Sequence, residues 1–142
     1  MTDIRKHAVE PTTTLHLRNA ADELLYADDA EGNPDKSRPM RAVLYGPGSK
    51  PFKKAQAAAS NRMMERLKKK GKDNVSAEEK AQEDAEFLVS CTKSLENVEF
   101  DQLTGDALSK AVYTTPEIGF IPEQINKHIS DWANFTKASP TN

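Results

Sequence analysis

Residues 49–95 read SKPFKKAQAAASNRMMERLKKKGKDNVSAEEKAQEDAEFLVSCTKSL, and they divide into a basic block followed at once by an acidic block. Residues 49–72 hold nine lysines and arginines and a single acid, Glu65. Residues 73–106 hold ten acids and only two lysines. The net charge of −2 for the whole chain therefore hides two opposed electric fields. This polarity favours docking to a partner, self-association or an intramolecular helix pair, and it indicates an interaction protein rather than an enzyme.

The basic block carries the signals of a helix. The turn sequence GPG at residues 46–48 is followed by Ser49, a favourable N-cap, which predicts a helix over residues 49–70 that stops at Gly71. Its apolar side chains recur three to four residues apart, so that they lie on one face. These side chains are Phe52, Ala55, Ala59, Met63 and Leu67.

The acidic block begins with the clearest local signature in the chain. Ser76 and Glu79 have the spacing of a capping box, in which each side chain satisfies a backbone N–H of the other residue. This spacing predicts a second helix from residue 77 onward. Its apolar stripe consists of Ala77, Ala81, Ala85, Leu88 and Cys91, with Phe87 and Leu95 beside it.

The region before the basic block reads as β-structure. Residues 13–18 alternate between apolar and polar side chains, which is the pattern of a half-buried strand. Residues 22–27 fit a second short strand, and residues 40–45 fit a third. Residues 28–39 are rich in Asp, Gly, Asn, Pro and Ser, which predicts a loop or hairpin tip. We expect a small antiparallel sheet of two or three strands that needs a helix packed on it.

The region after the acidic helix is mostly helical. Residues 97–102 fit either a short strand or a loop, and residues 106–113 have helical spacing. A last helix begins near Pro122, with an apolar stripe that consists of Ile121, Ile125, Ile129, Trp132 and Phe135. The predicted fold class is therefore α+β, with a small N-terminal antiparallel sheet followed by about four helices. We expect one domain over residues 13–138, with a flexible leader at 1–12 and a flexible tail at 139–142.

Composition narrows the class of protein further. The chain has 142 residues, which suits one domain, and its 37% hydrophobic and 30% charged residues predict a thin core. Cys91 stands alone, so that an internal disulfide framework is excluded, and its apolar surroundings predict a buried structural thiol. No apolar run is long enough to span a membrane, and the charged N-terminus does not resemble a secretion signal. We expect a soluble, cytosolic protein.

The sequence offers no arrangement of side chains that would support catalysis. The three histidines, His7, His16 and His128, are far apart and have no carboxylate or thiol at ligand spacing, so that we expect no metal site. The glycine-containing turn before Lys50 lacks the full spacing of a phosphate-binding loop. No serine, cysteine or lysine lies beside a base that would activate it. We predict no catalytic residue and no cofactor.

Two groups of residues are candidates for binding a partner. The C-terminal stripe either closes the core of the domain or offers Ile125, Ile129, Trp132 and Phe135 to a partner as apolar anchors. The basic run at residues 66–72, which includes Arg66 and Lys69, either contacts a partner or is a solvated helix face. Nucleic-acid binding by this run is disfavoured, because no binding module is recognisable and the pI is 5.9.

Two stretches of the chain resemble one known family. The first is VLYGPGSKPFKKA at residues 43–55. The second, residues 84–135, holds an acidic helix, then SLENVEFD, then a break from Pro116 to Phe120 and the closing IPEQINKHISDWANF. In this order, after a β segment and between helices, they resemble the small tail assembly chaperones of long-tailed bacteriophages and prophages. The likeness extends from Thr13 to Phe135 as an order of elements.

This resemblance implies a non-enzymatic, mostly helical protein in the cytoplasm of an infected bacterium. Members of the family bind the tape measure protein, and often the tail tube protein, and leave before the virion matures. Many are also made in a longer form by translational frameshifting. Opposite charges on one chain also fit a homo-oligomer built from many modest contacts. Two alternatives stay open: a structural head–tail or tail-completion protein of the virion, and a small DNA-binding regulator that uses the basic helix at residues 50–72.

Overall fold

The computed structural model describes residues 3–70 and 75–136 of the chain. This part contains five strands and four α-helices in a mixed α+β fold, which confirms the predicted class. The strands are β1 (Thr12–His16), β2 (Tyr26–Asp28), β3 (Pro34–Pro39), β4 (Arg41–Tyr45) and β5 (Thr92–Glu96). The helices are α1 (Lys50–Lys70), α2 (Ala77–Ser90), α3 (Gly105–Thr114) and α4 (Phe120–Ile129). Short 3₁₀ turns form at Ile4–His7, Pro116–Ile118 and Trp132–Phe135.

The central sheet has three antiparallel strands in the order β1–β4–β5. β4 lies in the middle, with Ala42 opposite Leu15 on one side and opposite Leu95 on the other. Side chains along β4 alternate between half-buried and buried, and Ala42 and Leu44 are fully enclosed. The strands predicted at residues 13–18 and 40–45 are thus confirmed, and they pair directly with each other.

The prediction for residues 22–39 was partly wrong. β2 does not join the central sheet but pairs with β3 in a separate two-stranded ribbon. β3 occupies half of the segment predicted as a loop, and its residues PDKSRP include two prolines and no large apolar side chain. The turn before it brings this segment back beside β2: Asp29 Oδ1 accepts hydrogen bonds from the amides of Glu31 and Asn33, and Gly32 has φ of +84°.

β5 was missed altogether. Leu95, expected beside the stripe of α2, lies instead in this strand opposite Ala42. α2 ends at Ser90, Cys91 caps it, and Thr92 donates a hydrogen bond to the carbonyl of Leu88 before the strand begins. The third strand of the sheet therefore comes from between the helices. Residues 97–102 form no strand, and Asn97 has a positive φ.

The helix starts follow their predicted caps. At the start of α1, Ser49 Oγ accepts from the amide of Phe52 at 3.3 Å and donates to the carbonyl of Gly46 at 2.7 Å. At the start of α2, Ser76 Oγ accepts from the amide of Glu79 at 3.1 Å. The predicted stop of the first helix at Gly71 lies outside the described residues, as does Lys72 of the basic run.

The last predicted helix is two elements. α4 ends at Ile129, and the 3₁₀ turn Trp132–Phe135 follows, opened by a hydrogen bond from the amide of Ala133 to Asp131 Oδ1. The turn folds back, so that the carbonyl of Phe135 accepts a hydrogen bond from the amide of Glu10 at 2.7 Å. Part of the predicted leader thus lies against the domain, whereas the predicted tail at 139–142 lies outside the described residues.

The core lies between the central sheet and the helices. Its fully enclosed large side chains are Leu17, Leu44, Cys91, Ile125, Ile129 and Phe135. Gln124 of α4 ties the helices to the sheet: its side-chain amide accepts from the backbone N–H of Arg18 and donates to the carbonyl of Arg18, both at 2.8 Å. Within the described part of the chain, the helices are too short or too polar to cross a bilayer.

A candidate protein-binding surface on the long helix

α1 extends well beyond the part of it that contributes to the core. Its 21 residues span about 31 Å at the rise of an α-helix. The buried apolar side chains, Phe52 and Ala55, lie in its first two turns. From residue 60 to residue 69, every side chain is exposed or half-buried. We call residues 60–69 the α1 arm. A helical segment that buries nothing of its own is available to bind something else.

One side of the α1 arm is paired with α2. Arg66 Nη1 lies 2.5 Å from Glu83 Oε2, and Arg62 Nη1 lies 3.8 Å from Glu86 Oε2. The later arginine pairs with the earlier glutamate, so that the two helices run antiparallel. The basic and acidic blocks therefore form an intramolecular helix pair, which is one of the three outcomes that the charge pattern allowed.

Another side of the α1 arm is apolar and exposed. Met63, Met64 and Leu67 are 41%, 51% and 37% exposed. Leu67 lies four residues after Met63 and three after Met64, so that it neighbours both methionines on the helix surface. We call these three side chains the Met–Leu strip. Methionine has a flexible, polarisable side chain that fills irregular gaps, and it is over-represented on surfaces that bind several partners.

The neighbours of the Met–Leu strip carry either no charge or positive charge. Three or four residues from its members lie Ala59, Ser60, Asn61, Arg66 and Lys68. Glu65 is the single acid of α1, and it lies three residues before Lys68 and four before Lys69. An apolar strip beside cations is suited to an amphipathic helix, which would bury its apolar side chains on the methionines.

The C-terminal candidate residues are mostly interior. Ile125 and Ile129 are completely buried, and Phe135 is 1% exposed. Trp132 alone among the four is exposed, at 53%, and its ring lies near Gly48. The alternative interpretation, that the stripe closes the core of the domain, therefore describes three of the four candidate side chains.

The candidate residues of the basic run are both on the α1 arm. Arg66 is engaged with Glu83, and Lys69 is exposed. Sequence reasoning missed the Met–Leu strip as a surface, because it placed Met63 and Leu67 on the inward stripe of the helix. Met64 was the available signal, since a second methionine beside Met63 widens the apolar arc beyond what a thin core can cover.

The groups that could titrate in the interior serve the fold. Cys91 is completely buried, as predicted, and burial raises the pKa of its thiol to about 12. Burial likewise raises the pKa of Tyr113 to about 12, and the phenol shares a 2.7 Å hydrogen bond with the hydroxyl of Thr92. In residues 3–70 and 75–136, no three His, Cys, Asp or Glu side chains are grouped as they would be around a metal ion.

Comparison of the chain with known protein families, curated proteins and solved structures gives no match. The resemblance of residues 43–55 and 84–135 to tail assembly chaperones therefore stays a prediction. The exposed surface of the α1 arm is the feature of the described residues that is suited to binding a partner.

Proposed function

We propose that this chain is a non-catalytic tail assembly chaperone of a long-tailed phage, which binds the tape measure protein during tail assembly. The observation that carries this proposal is the exposed Met–Leu strip of the α1 arm, Met63, Met64 and Leu67. A tape measure protein is a long helical chain, and the strip is suited to the apolar side of a helix. The family resemblance of the sequence supports the same role.

The composition of the strip fits a client with a varied sequence. Two methionines and a leucine adapt to different apolar side chains without a fixed pocket, so that many positions along one client can be bound. Each contact is small, and binding to a long client then gains strength from several copies held together. Under this proposal the protein works in the cytoplasm of the infected cell, also meets the tail tube protein, and is left out of the finished virion.

The rival role as a DNA-binding regulator is less well supported. Two of the basic residues that would contact phosphates, Arg62 and Arg66, lie against Glu86 and Glu83. Their positive charge is thus partly neutralised within the molecule. The exposed apolar side chains of the Met–Leu strip would also gain little beside a phosphate backbone.

Co-expression with the tape measure protein of the same phage tests the proposal. The wild-type chain should purify with this client. The double variant Met63→Ser, Met64→Ser should retain little of the tape measure protein, because serine removes the apolar contact. Leu103→Ser is the matched control, since Leu103 is also an exposed apolar side chain, at 38%, but lies outside α1. Mass spectrometry of purified virions is the second readout: a stoichiometric amount of this chain would make it a structural protein instead.

A further inference from the structure

The charges around the Met–Leu strip indicate which kind of helix binds there. We infer that the α1 arm recognises an amphipathic helix that carries carboxylates beside its apolar residues. This inference rests on the proposed function, since it names the chemistry of the client segment at that same surface.

The first argument is charge complementarity. Met64 and Lys68 are four residues apart, so that a helix lying over the strip meets the ammonium of Lys68 at its edge. Glu65 lies three residues before Lys68 and four before Lys69, so that this edge of the arm carries two cations against one carboxylate. A client helix with glutamates beside its apolar residues would meet a net positive edge, whereas a basic helix would meet like charge there.

The second argument is that the molecule already contains one complex of this kind. α2 is an acidic helix, and it lies antiparallel to α1 with Glu83 and Glu86 on Arg66 and Arg62. Glu83 and Glu86 are three residues apart, and Arg62 and Arg66 are four apart. Each pair therefore lies on one face of its helix, and the two faces meet. The same basic helix thus holds an acidic helix on one side, and the exposed Met–Leu strip offers a second place on another side.

The experiment compares two synthetic helical peptides with the same apolar pattern, leucines at i, i+3, i+4 and i+7. One peptide has glutamates at the flanking positions, and the other has lysines. Fluorescence anisotropy with the full chain should show the acidic peptide binding at least about tenfold more tightly at low salt. Met63→Ser, Met64→Ser should weaken both peptides, because it removes the apolar contact that they share.

A charge reversal isolates the cation. Lys68→Glu should weaken the acidic peptide and strengthen the basic one. Lys127→Glu is the matched control, because Lys127 is exposed and, like Lys68, lies two residues before the end of its helix. The control changes the net charge by the same amount, so that a long-range charge effect would appear in both variants.

The outcomes separate the inference from the proposed function. If the tape measure protein still co-purifies through Met63 and Met64 while the two peptides bind equally, the function stands and the acidic preference is wrong. If the client does not co-purify while the acidic peptide binds as described, the preference stands and the function falls.

Tighter binding of a DNA duplex than of the acidic peptide would assign the surface to nucleic acid. Concentration-dependent self-association that Lys68→Glu abolishes would assign it to a second copy of this chain. Either result overturns the inference.

Discussion

Gly46 lies directly under the ring of Phe135. A Cβ atom added to Gly46 would be 2.4 Å from both Cδ2 and Cε2 of that ring, which is far inside van der Waals contact. Phe135 is buried and cannot swing away without opening the core. We therefore expect Gly46→Ala to lower the free energy of unfolding by about 1–3 kcal/mol, as overpacking does, in urea denaturation.

Gly48 provides the control for this prediction. A Cβ there would meet Cγ2 of Val9 at 2.9 Å, which is the end of a side chain that can turn aside. Gly48→Ala should therefore be the milder of the two variants. Equal losses would mean that the ring of Phe135 has more room to move than its burial indicates.

His128 makes stability depend on pH. Burial lowers the pKa of its imidazole below the ordinary 6.5, although Asp131 acts in the opposite direction. Its Nε2 is buried with no hydrogen-bond partner among the described residues, and its ring lies 5.9 Å from that of Phe135. Protonation is thus easier in the unfolded chain, so that the stabilising contribution is complete above pH 6.5 and is lost as the pH falls below it.

Denaturation of the wild-type chain and of His128→Gln at about pH 8 and about pH 5 measures this effect. The loss of stability on acidification should be smaller in the variant. His7→Gln, at an exposed position, should retain the loss seen in the wild type. A variant that acidification destabilises as much as the wild type would assign the pH dependence to other groups.

At the scale of elements, the two serine caps should differ in importance. Ser49 is buried and its hydroxyl has two backbone partners, Gly46 and Phe52, whereas Ser76 is exposed. Ser76→Ala should cost about 1 kcal/mol, which is typical for the loss of a cap. Ser49→Ala should cost more, because it also leaves the carbonyl of Gly46 without that donor inside the protein. Thermal unfolding of the two variants side by side measures the two losses. A larger loss in Ser76→Ala than in Ser49→Ala would contradict the prediction and mean that Ser49 is solvated.

The elements that could be predicted from the sequence are those with a local cause. α1 and α2 have caps at Ser49 and Ser76, and β1 and β4 have apolar alternation. β3 and β5 have neither, and they become strands because β2 and β4 lie beside them, which a local pattern does not reveal. The helical extent of α4 was overestimated because Trp132 continues its spacing, although Asp131 starts a new turn there.

The candidate site, too, could be predicted only where a local sequence pattern determines it. The charge pattern allowed an intramolecular helix pair as one of three outcomes, and Arg66 and Glu83 do pair. The exposure of Met63 and Leu67 could not be predicted, because helical periodicity identifies an apolar face but not how far the core extends beneath it. In the folded chain that core ends at Ala55, early in α1.

In the molecule as a whole, the opposed charge blocks hold the α1 arm in place. Because residues 60–69 bury no apolar side chain, their attachment to the domain depends strongly on Arg66 and Glu83, whose side chains are only 15% and 22% exposed. Partial burial strengthens this ion pair relative to a solvated one. A double-mutant cycle with Arg66→Met and Glu83→Gln should give a coupling free energy of about 1–2 kcal/mol.

The exposed pair Lys80–Asp84, at 2.9 Å within α2, is the reference for that cycle, and its coupling should be about 0.3–0.5 kcal/mol. High salt should remove most of the coupling of the exposed pair but only part of that between Arg66 and Glu83, because buried pairs are screened less.

Amide hydrogen exchange should then rise in residues 60–69 of Glu83→Gln while the central sheet stays protected. Uniform exchange along the whole chain would contradict this, since it would mean that the arm and the core unfold as one unit.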